Sequence, residues 1–371
     1  MGIPPQGIGG GEIIIIGGAG KEAERFILVA ASDADESIKS VADYVCDGVN
    51  DEEEINQAIQ QAVSEGIYTV VLSEGTFNVE PTNTFEFMGN PFYCCIPITS
   101  SNVRLRGCGD KTVISLKPEL TQAYTAIIPV VGNETEYISN ISLENLNIKT
   151  NYQTYNHFLL LLLYTDNSSI TNIILDSSET SSYPNHCVFN ILYCENISVT
   201  NIVSYNTVIN LYYSSGFKLA DSTLYLNISD VYQPLFISDS SKVTIKGNTI
   251  YSENRTINIS NSNSVSVTEN LLNNLIDITG CSEIIFSNNQ VIDSGQVIQL
   301  SYSSRCIFSN NNFYCNKETL VIIKLWNNDD YCIITNNTIY ATNFTGDDPI
   351  EYTGSNHIIA NNIIIVESGG G

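Results

Sequence analysis

From about residue 140 onward the chain repeats one arrangement: apolar, any, apolar, two polar residues, Asn, any, apolar. The late copies read VTIKGNTI, VSVTENLL, IIFSNNQV, CIFSNNNF, CIITNNTI and HIIANNII, anchored at Asn248, Asn270, Asn289, Asn311, Asn337 and Asn362. The anchors are 22, 19, 22, 26 and 25 residues apart. Strand side chains alternate, so the residues five and three before each Asn share one face. The apolar residue two after it returns to the inside once the chain has bent at the Asn. Asn suits that bend, because it tolerates left-handed backbone angles and its amide bonds to neighbours. Strands recurring at a short, nearly constant period predict a solenoid in which each strand pairs with its equivalent one turn earlier, a parallel β-helix. The anchoring amides are then expected to stack into a hydrogen-bonded ladder. Looser copies start at Ile141, Ile170, Ile197 and Phe217. They extend the series to about ten coils, a rod roughly 50 Å long at about 4.8 Å per coil.

The front of the chain has a different rhythm. Between Ala42 and Val63, residues Ile55, Ala58, Ile59, Ala62 and Val63 recur at helical spacing after an acidic turn, Asp51 to Glu54. Acidic residues favour a helix N-terminus, so a helix is predicted there. It is expected to plug the first coil, since an open solenoid end exposes core and strand edges. TVVLSEGTFNV (Thr69 to Val79) and SNVRLRGCGDKTVISL (Ser101 to Leu116) follow as strand pairs, with Gly107 and Gly109 at tight turns. The organisation expected is an arm over residues 1–24 and one β-helix over 25–371, with its cap region at 25–80.

The runs DYVCDGVNDEEEINQAI, VVLSEGTFNV and NVRLRGCGDKTVI resemble the start of pectate-lyase-like right-handed β-helix proteins. The resemblance covers about residues 26 to 366. It implies an all-β, right-handed parallel β-helix with an N-terminal capping helix. That superfamily includes pectin-degrading enzymes and phage or viral tailspikes, and one solenoid hosts many activities. Of the polygalacturonase motifs NTD, DD, GHG and RIK, only DD occurs, at Asp329-Asp330 and Asp347-Asp348. None of His157, His186 and His357 lies in a Gly-His-Gly. The arginines of the coil region, Arg255 and Arg305, lack the RxPxxR context of pectate lyases.

A net charge of -25, with 15 Lys and Arg, argues against nucleic acid, which needs clustered basic residues. No transmembrane span is expected, because the apolar runs, Phe158 to Tyr164 and Ile13 to Ile16, are far short of about 20 residues. The first run reads as a strand covered on both sides. The opening MGIPPQGIGGGEIIIIGGAG lacks the basic and apolar regions of a secretory signal. Its isoleucines are costly to leave in water, which favours a docking or strand-donating arm over a loose tail.

No CxxC or His-spaced pattern appears among the 10 cysteines, so no metal and no cofactor are expected. Cys306 and Cys332 share the position five before an anchor and should stack inward within disulfide range, as a bridge or as packed thiols. His357 takes the same position one coil later. Candidate glycosylation sites are Asn133, Asn140, Asn167, Asn196, Asn227, Asn254, Asn258, Asn336 and Asn343. About as many sequons arise by chance in so Asn-, Ser- and Thr-rich a chain. A glycosidase needs two carboxylates about 5–10 Å apart beside a groove. Asp166, Asp176, Glu179, Asp221, Asp230, Asp239, Asp329 and Asp330 are available, but no catalytic set emerges. The 21 tyrosines, dense between Tyr152 and Tyr251, suit sugar stacking and protein interfaces alike.

These readings point first to a structural or adhesive rod of a virion or extracellular appendage. It would be tailspike- or fibre-like, homo-oligomeric as a trimer or filament, and in contact with surface polysaccharide. A polysaccharide-degrading hydrolase or lyase is one alternative. A self-assembling extracellular filament subunit is the other.

Overall fold

The computed structural model describes residues 25–87, 89–117, 124–150, 157–177, 187–226, 233–292, 297–316, 321–326, 329–342, 344–345, 348–353 and 355–367. The arm at 1–24 lies outside them, as do Glu179, His186, Asp230, Asp347, Asn227 and Asn343.

Each repeat folds into one coil with three faces. One late coil runs through Ile298–Ser301, turns, continues through Ile307–Ser309, turns again, and ends in Asn312–Cys315. The first strand of every such coil adds to a 12-stranded sheet, here face I. The second and third strands add to a 25-stranded sheet that supplies faces II and III. Register is in step from coil to coil, as in Phe286↔Phe308 and Phe308↔Ile334, and these pairings are parallel. Parallel strands joined by crossover turns wind in one sense, giving a right-handed parallel β-helix.

The repeat positions land where alternation requires. The residues five and three before the anchors are buried from Val243 and Ile245 to Cys332 and Ile334, and the plus-two residues from Ile250 to Ile339. One apolar core runs from Ile27 to Ile350. Helix α1 (Glu36–Lys39) is a single turn. Helix α2 (Glu52–Ser64) presses Ile55, Ala58, Ile59 and Ala62 onto the first coil, as the helical spacing predicts. The fully buried Asp51 ties this cap down by accepting the Gly48 and Asn78 N–H groups at 2.8 and 2.7 Å.

The anchoring asparagines differ from expectation in one respect. The left-handed residue is the one before each anchor, Gly247, Glu269, Asn288, Asn310, Asn336 and Asn361. The anchor itself points inward, with Asn248, Asn270, Asn289, Asn311 and Asn337 all buried. Each Oδ1 accepts the backbone N–H of the previous anchor, as in Asn289 to Asn311 at 2.9 Å. Each Nδ2 donates along the stack, as in Asn311 to Asn337 at 2.9 Å. The corner needs a left-handed residue, while the core needs an amide that satisfies buried backbone groups. Neighbouring positions divide the two tasks. Upstream, the anchor position holds Leu146, Ile173 and Ile202, and Ser222 opens the polar ladder by donating its N–H to Asn248.

A second internal ladder follows face I. The N–H groups of Cys194, Ser214 and Ser240 donate to the hydroxyls of Ser214, Ser240 and Ser262, and that of Cys281 to Ser303. Asp329 ends this series by accepting the Ser303 N–H at 2.7 Å.

Phe158 to Leu163 belongs to the strand His157–Leu163, whose Leu160 and Leu162 enter the core. Its outer Leu161 is covered too, in a small cluster with Cys94, Ala126 and Phe85. An antiparallel hairpin, Asn83–Phe87 with Asn90–Cys94, provides that cover. Phe92 sits at its centre, 5.8 Å from the Phe158 ring and 5.3 Å from Tyr124.

Cys306 and Cys332 are stacked and fully buried, and both are free thiols. A hydrogen bond to Cys332 and burial together push the Cys306 thiol up. His357 continues the column, its Nδ1 accepting the Cys332 N–H at 3.3 Å. Cys108 is the one exposed thiol among the described free cysteines. A reagent must reach the sulfur, so alkylation of the native protein should label the exposed Cys108 and spare the buried, stacked pair. Peptide mapping before and after denaturation checks this, with Cys306 and Cys332 expected to be modified only after unfolding.

Candidate functional site

On face I the buried positions alternate with a row pointing outward. Leu211, Ile237, Ile259, Ile278, Leu300 and Leu325 face the core with no measurable exposure. The residue before each therefore points out. Strand register places Asn190, Asn210, Phe236, Asn258, Asp277, Gln299, Lys324 and Glu351 in one line, one residue per coil. All eight are half-buried. Two residues further along their strands lie Leu192, Tyr212, Ser238, Ser260, Thr279, Ser301 and Trp326, a second line parallel to the first. The hairpin closes this face above Asn190.

The row is chemically graded along the rod. At one end Asn210 Nδ2 donates to Asn190 Oδ1 at 3.0 Å. Next come the rings of Tyr212 and Phe236, tilted by 46° with centroids 5.3 Å apart. In the middle Arg255 reaches Asp277, Nη1 to Oδ2 3.3 Å. At the far end Lys324 Nζ lies 3.0 Å from Glu351 Oε2 and 4.2 Å above the Trp326 ring centroid. Lys324 is thus held by both an ion pair and a cation–π contact.

The carboxylates singled out from sequence do not assemble here. Asp166 and Asp176 mark opposite ends of the long strand Thr165–Asp176. Asp221 and Asp239 are left-handed corner residues, with φ of 52° and 49°. Asp329 is interior: burial pushes its carboxyl up to about 6, and Oδ2 finds no hydrogen-bond partner. Asp330 is paired in register with Ser355, whose hydroxyl donates to it. Glu195, absent from the sequence survey, stacks beside Asp166 on the next coil. That pair has glycosidase-like spacing, but it lies on an outer corner where the amides of Asn167 and Asn196 engage Asp166. On face I, Asp277 and Glu351 are three strands apart, about 14 Å at ~4.8 Å per strand, too far for a two-carboxylate glycosidase.

Of the described sequons, Asn133, Asn140, Asn167, Asn196, Asn254 and Asn336 are exposed, whereas Asn258 belongs to the face I row. Several tyrosines form ladders. Tyr164, Tyr193 and Tyr213 occupy successive left-handed corners, their rings 5.1 Å apart and nearly parallel. A ring so stacked presents its edge outward and spends its faces on neighbours. These tyrosines brace the corner and offer little area to a ligand.

A cleft and a donor-rich cluster lie elsewhere among the described residues. A cleft of about 280 Å³ beside α2 is lined by Asn56, Ile59, Gln60, Val63, Ser64, Asn83, Pro97, Thr99 and Ser100, with no titratable group. Donor atoms of Cys46, Asp51 and Glu54 lie within 4.8 Å of one another. Both Asp51 oxygens already accept backbone N–H groups, and burial pushes the Cys46 thiol up, which works against a thiolate ligand. Among the described residues no helix is long and apolar enough to cross a membrane.

No protein-family model and no curated protein matches the chain. Solved structures do. A mannuronan C-5 epimerase A-module from Azotobacter vinelandii has a TM-score of 0.59 at 17% identity, covering 85% of this chain and 96% of that one. A DFA-IIIase from Arthrobacter chlorophenolicus A6, without its lid, has a TM-score of 0.66 at 11% identity, covering 92% and 99%. The Agl-KA catalytic domain has a TM-score of 0.55 at 15% identity, covering 86% and 66%. At these identities the likeness establishes the β-helix fold. The epimerase and the DFA-IIIase are carbohydrate-acting enzymes, and the tailspike character expected from the sequence has no counterpart among these three.

Proposed function

We propose that this protein engages a polysaccharide lengthwise along face I. The observation that carries the reading is the outward row itself. It sets the amides of Asn190 and Asn210 before the Phe236 ring, and those of Asn258 and Gln299 between Phe236 and Trp326, in steps of one coil. Amides pair with sugar hydroxyls, and aromatic rings pack against the apolar faces of pyranose or furanose rings. A coil step of about 4.8 Å is of the same order as one sugar residue in a chain, so successive sugars meet successive strands. The carbohydrate-acting enzymes with this fold support the same partner class. Such a protein acts outside the cell or at a virion surface, where polysaccharide is met, and the rod presents its face there alone or as an oligomer. The present row favours glycan engagement over a purely structural rod, and it carries no carboxylate pair at glycosidase spacing.

Trp326→Ala and Phe236→Ala should each weaken binding of the polysaccharide by about tenfold, the loss of roughly 1.4 kcal/mol of stacking. Tyr225→Ala removes an exposed ring from face III and should leave binding unchanged. Isotherms for the three variants check this. Equal affinity for all three, or a loss confined to Tyr225→Ala, would move the site off face I.

A further inference from the structure

We infer that the polysaccharide taken by face I is neutral rather than a polyuronate, an inference that rests on the glycan reading above. An anionic chain needs cations free to meet its carboxylates. Face I has two cations among its described residues, and each is already satisfied by an acidic neighbour. Arg255 is bonded to Asp277 at 3.3 Å, and Lys324 to Glu351 at 3.0 Å. Lys324 is doubly held, with its ammonium 4.2 Å over the Trp326 ring and its side chain only 19% exposed. Binding a uronate there would break a charge-assisted hydrogen bond and leave Asp277 or Glu351 beside a second anion. The rest of the molecule opposes such a ligand as well. A net charge of -25 repels a polyanion as it approaches.

The remaining polar groups suit hydroxyls. Asn190 and Asn210 bond to each other through one amide hydrogen, and each keeps capacity for a sugar hydroxyl. The arrangement discriminates by charge without a dedicated repulsive residue. The two ion pairs present a polar, electrically balanced surface, and a carboxylated sugar forfeits more there than it gains.

The same pairing makes the inference testable by gain of binding. Asp277→Asn and Glu351→Gln, combined, free both cations while keeping side-chain size. Binding would be measured for a panel of neutral polysaccharides and for alginate and pectate, at low and high salt. The wild-type protein should bind at least one neutral chain with little salt dependence and bind neither polyuronate measurably. The double variant should acquire polyuronate binding, at least about tenfold above wild type, and lose it in 1 M salt, where screening reaches ~3 Å. Salt-sensitive binding of alginate or pectate by the wild type overturns the neutral-glycan inference while leaving face I as a glycan site. Binding of no polysaccharide by the wild type overturns both.

Discussion

Replacing Asn311 by Ala should destabilise the middle of the rod by about 3 kcal/mol or more. Asn311 is fully buried at the centre of the amide ladder. Its Oδ1 accepts the Asn289 N–H at 2.9 Å, and its Nδ2 donates to the Phe286 carbonyl at 2.9 Å. Truncation leaves the Asn289 N–H without a partner in a place water does not reach, at about 1–3 kcal/mol, and takes a donor from the Phe286 carbonyl. The cavity left by the amide adds to this. Two comparisons separate the ladder from side-chain size. Asn362→Ala removes the last, half-buried rung and should cost less, because solvent replaces part of what is lost. Asn310→Gly keeps the left-handed corner at φ 56° and should be close to neutral. Hydrogen exchange at the Asn289 and Asn311 amides reads the local opening, which matters because repeat proteins need not unfold in one step. A loss for Asn310→Gly equal to that for Asn311→Ala would contradict the ladder account.

Asp329→Ser should do the opposite and stabilise the protein at neutral pH. Asp329 occupies the place that Ser214, Ser240, Ser262 and Ser303 hold on other coils. It accepts the same kind of N–H bond, but it brings a second oxygen with no partner. Burial raises its carboxyl from 3.8 to about 6. A raised acid binds protons more tightly folded than unfolded, so stability falls as pH rises through the window from about 4 to 6. Above that window the cost of the buried charge is present in full, on the order of 2 kcal/mol. A serine restores the hydroxyl acceptor and removes the charge. The variant should therefore gain about that much at pH 7 and nothing at pH 4. Urea midpoints for both proteins at the two pH values check this. A gain of the same size at pH 4 would place the effect in packing instead of ionisation.

The fold was legible because its signal is redundant. Six copies of one pattern place Ile245, Val267, Phe286, Phe308, Ile334 and Ile359 at the same step, and burial alone fixes what such a pattern can be. The helix cap was equally plain from Ile55, Ala58, Ile59 and Ala62. The division of labour between Asn310 and Asn311 was not, since adjacent asparagines in a turn look alike until one knows which points inward. Face I was harder still. Its strands, such as LFIS, INIS, IDIT and IQLS, lie outside the Asn-anchored motif, and their outward residue varies from coil to coil. The partners are also distant in sequence, with Lys324 meeting Glu351 a full coil later. The visible cue was the variable residue between two constant apolar ones. Asp239 and Asp329 look alike as candidate carboxylates in sequence, whereas geometry assigns one to a corner and the other to the interior.

The most direct measurement is a crystal structure of the protein with an oligosaccharide drawn from the polysaccharide it binds. Sugar residues are expected along face I, in contact with Phe236, Asn258 and Trp326, with the Arg255–Asp277 and Lys324–Glu351 pairs intact. Sugar bound instead in the cleft beside α2, or along the tyrosines of faces II and III, would contradict that placement.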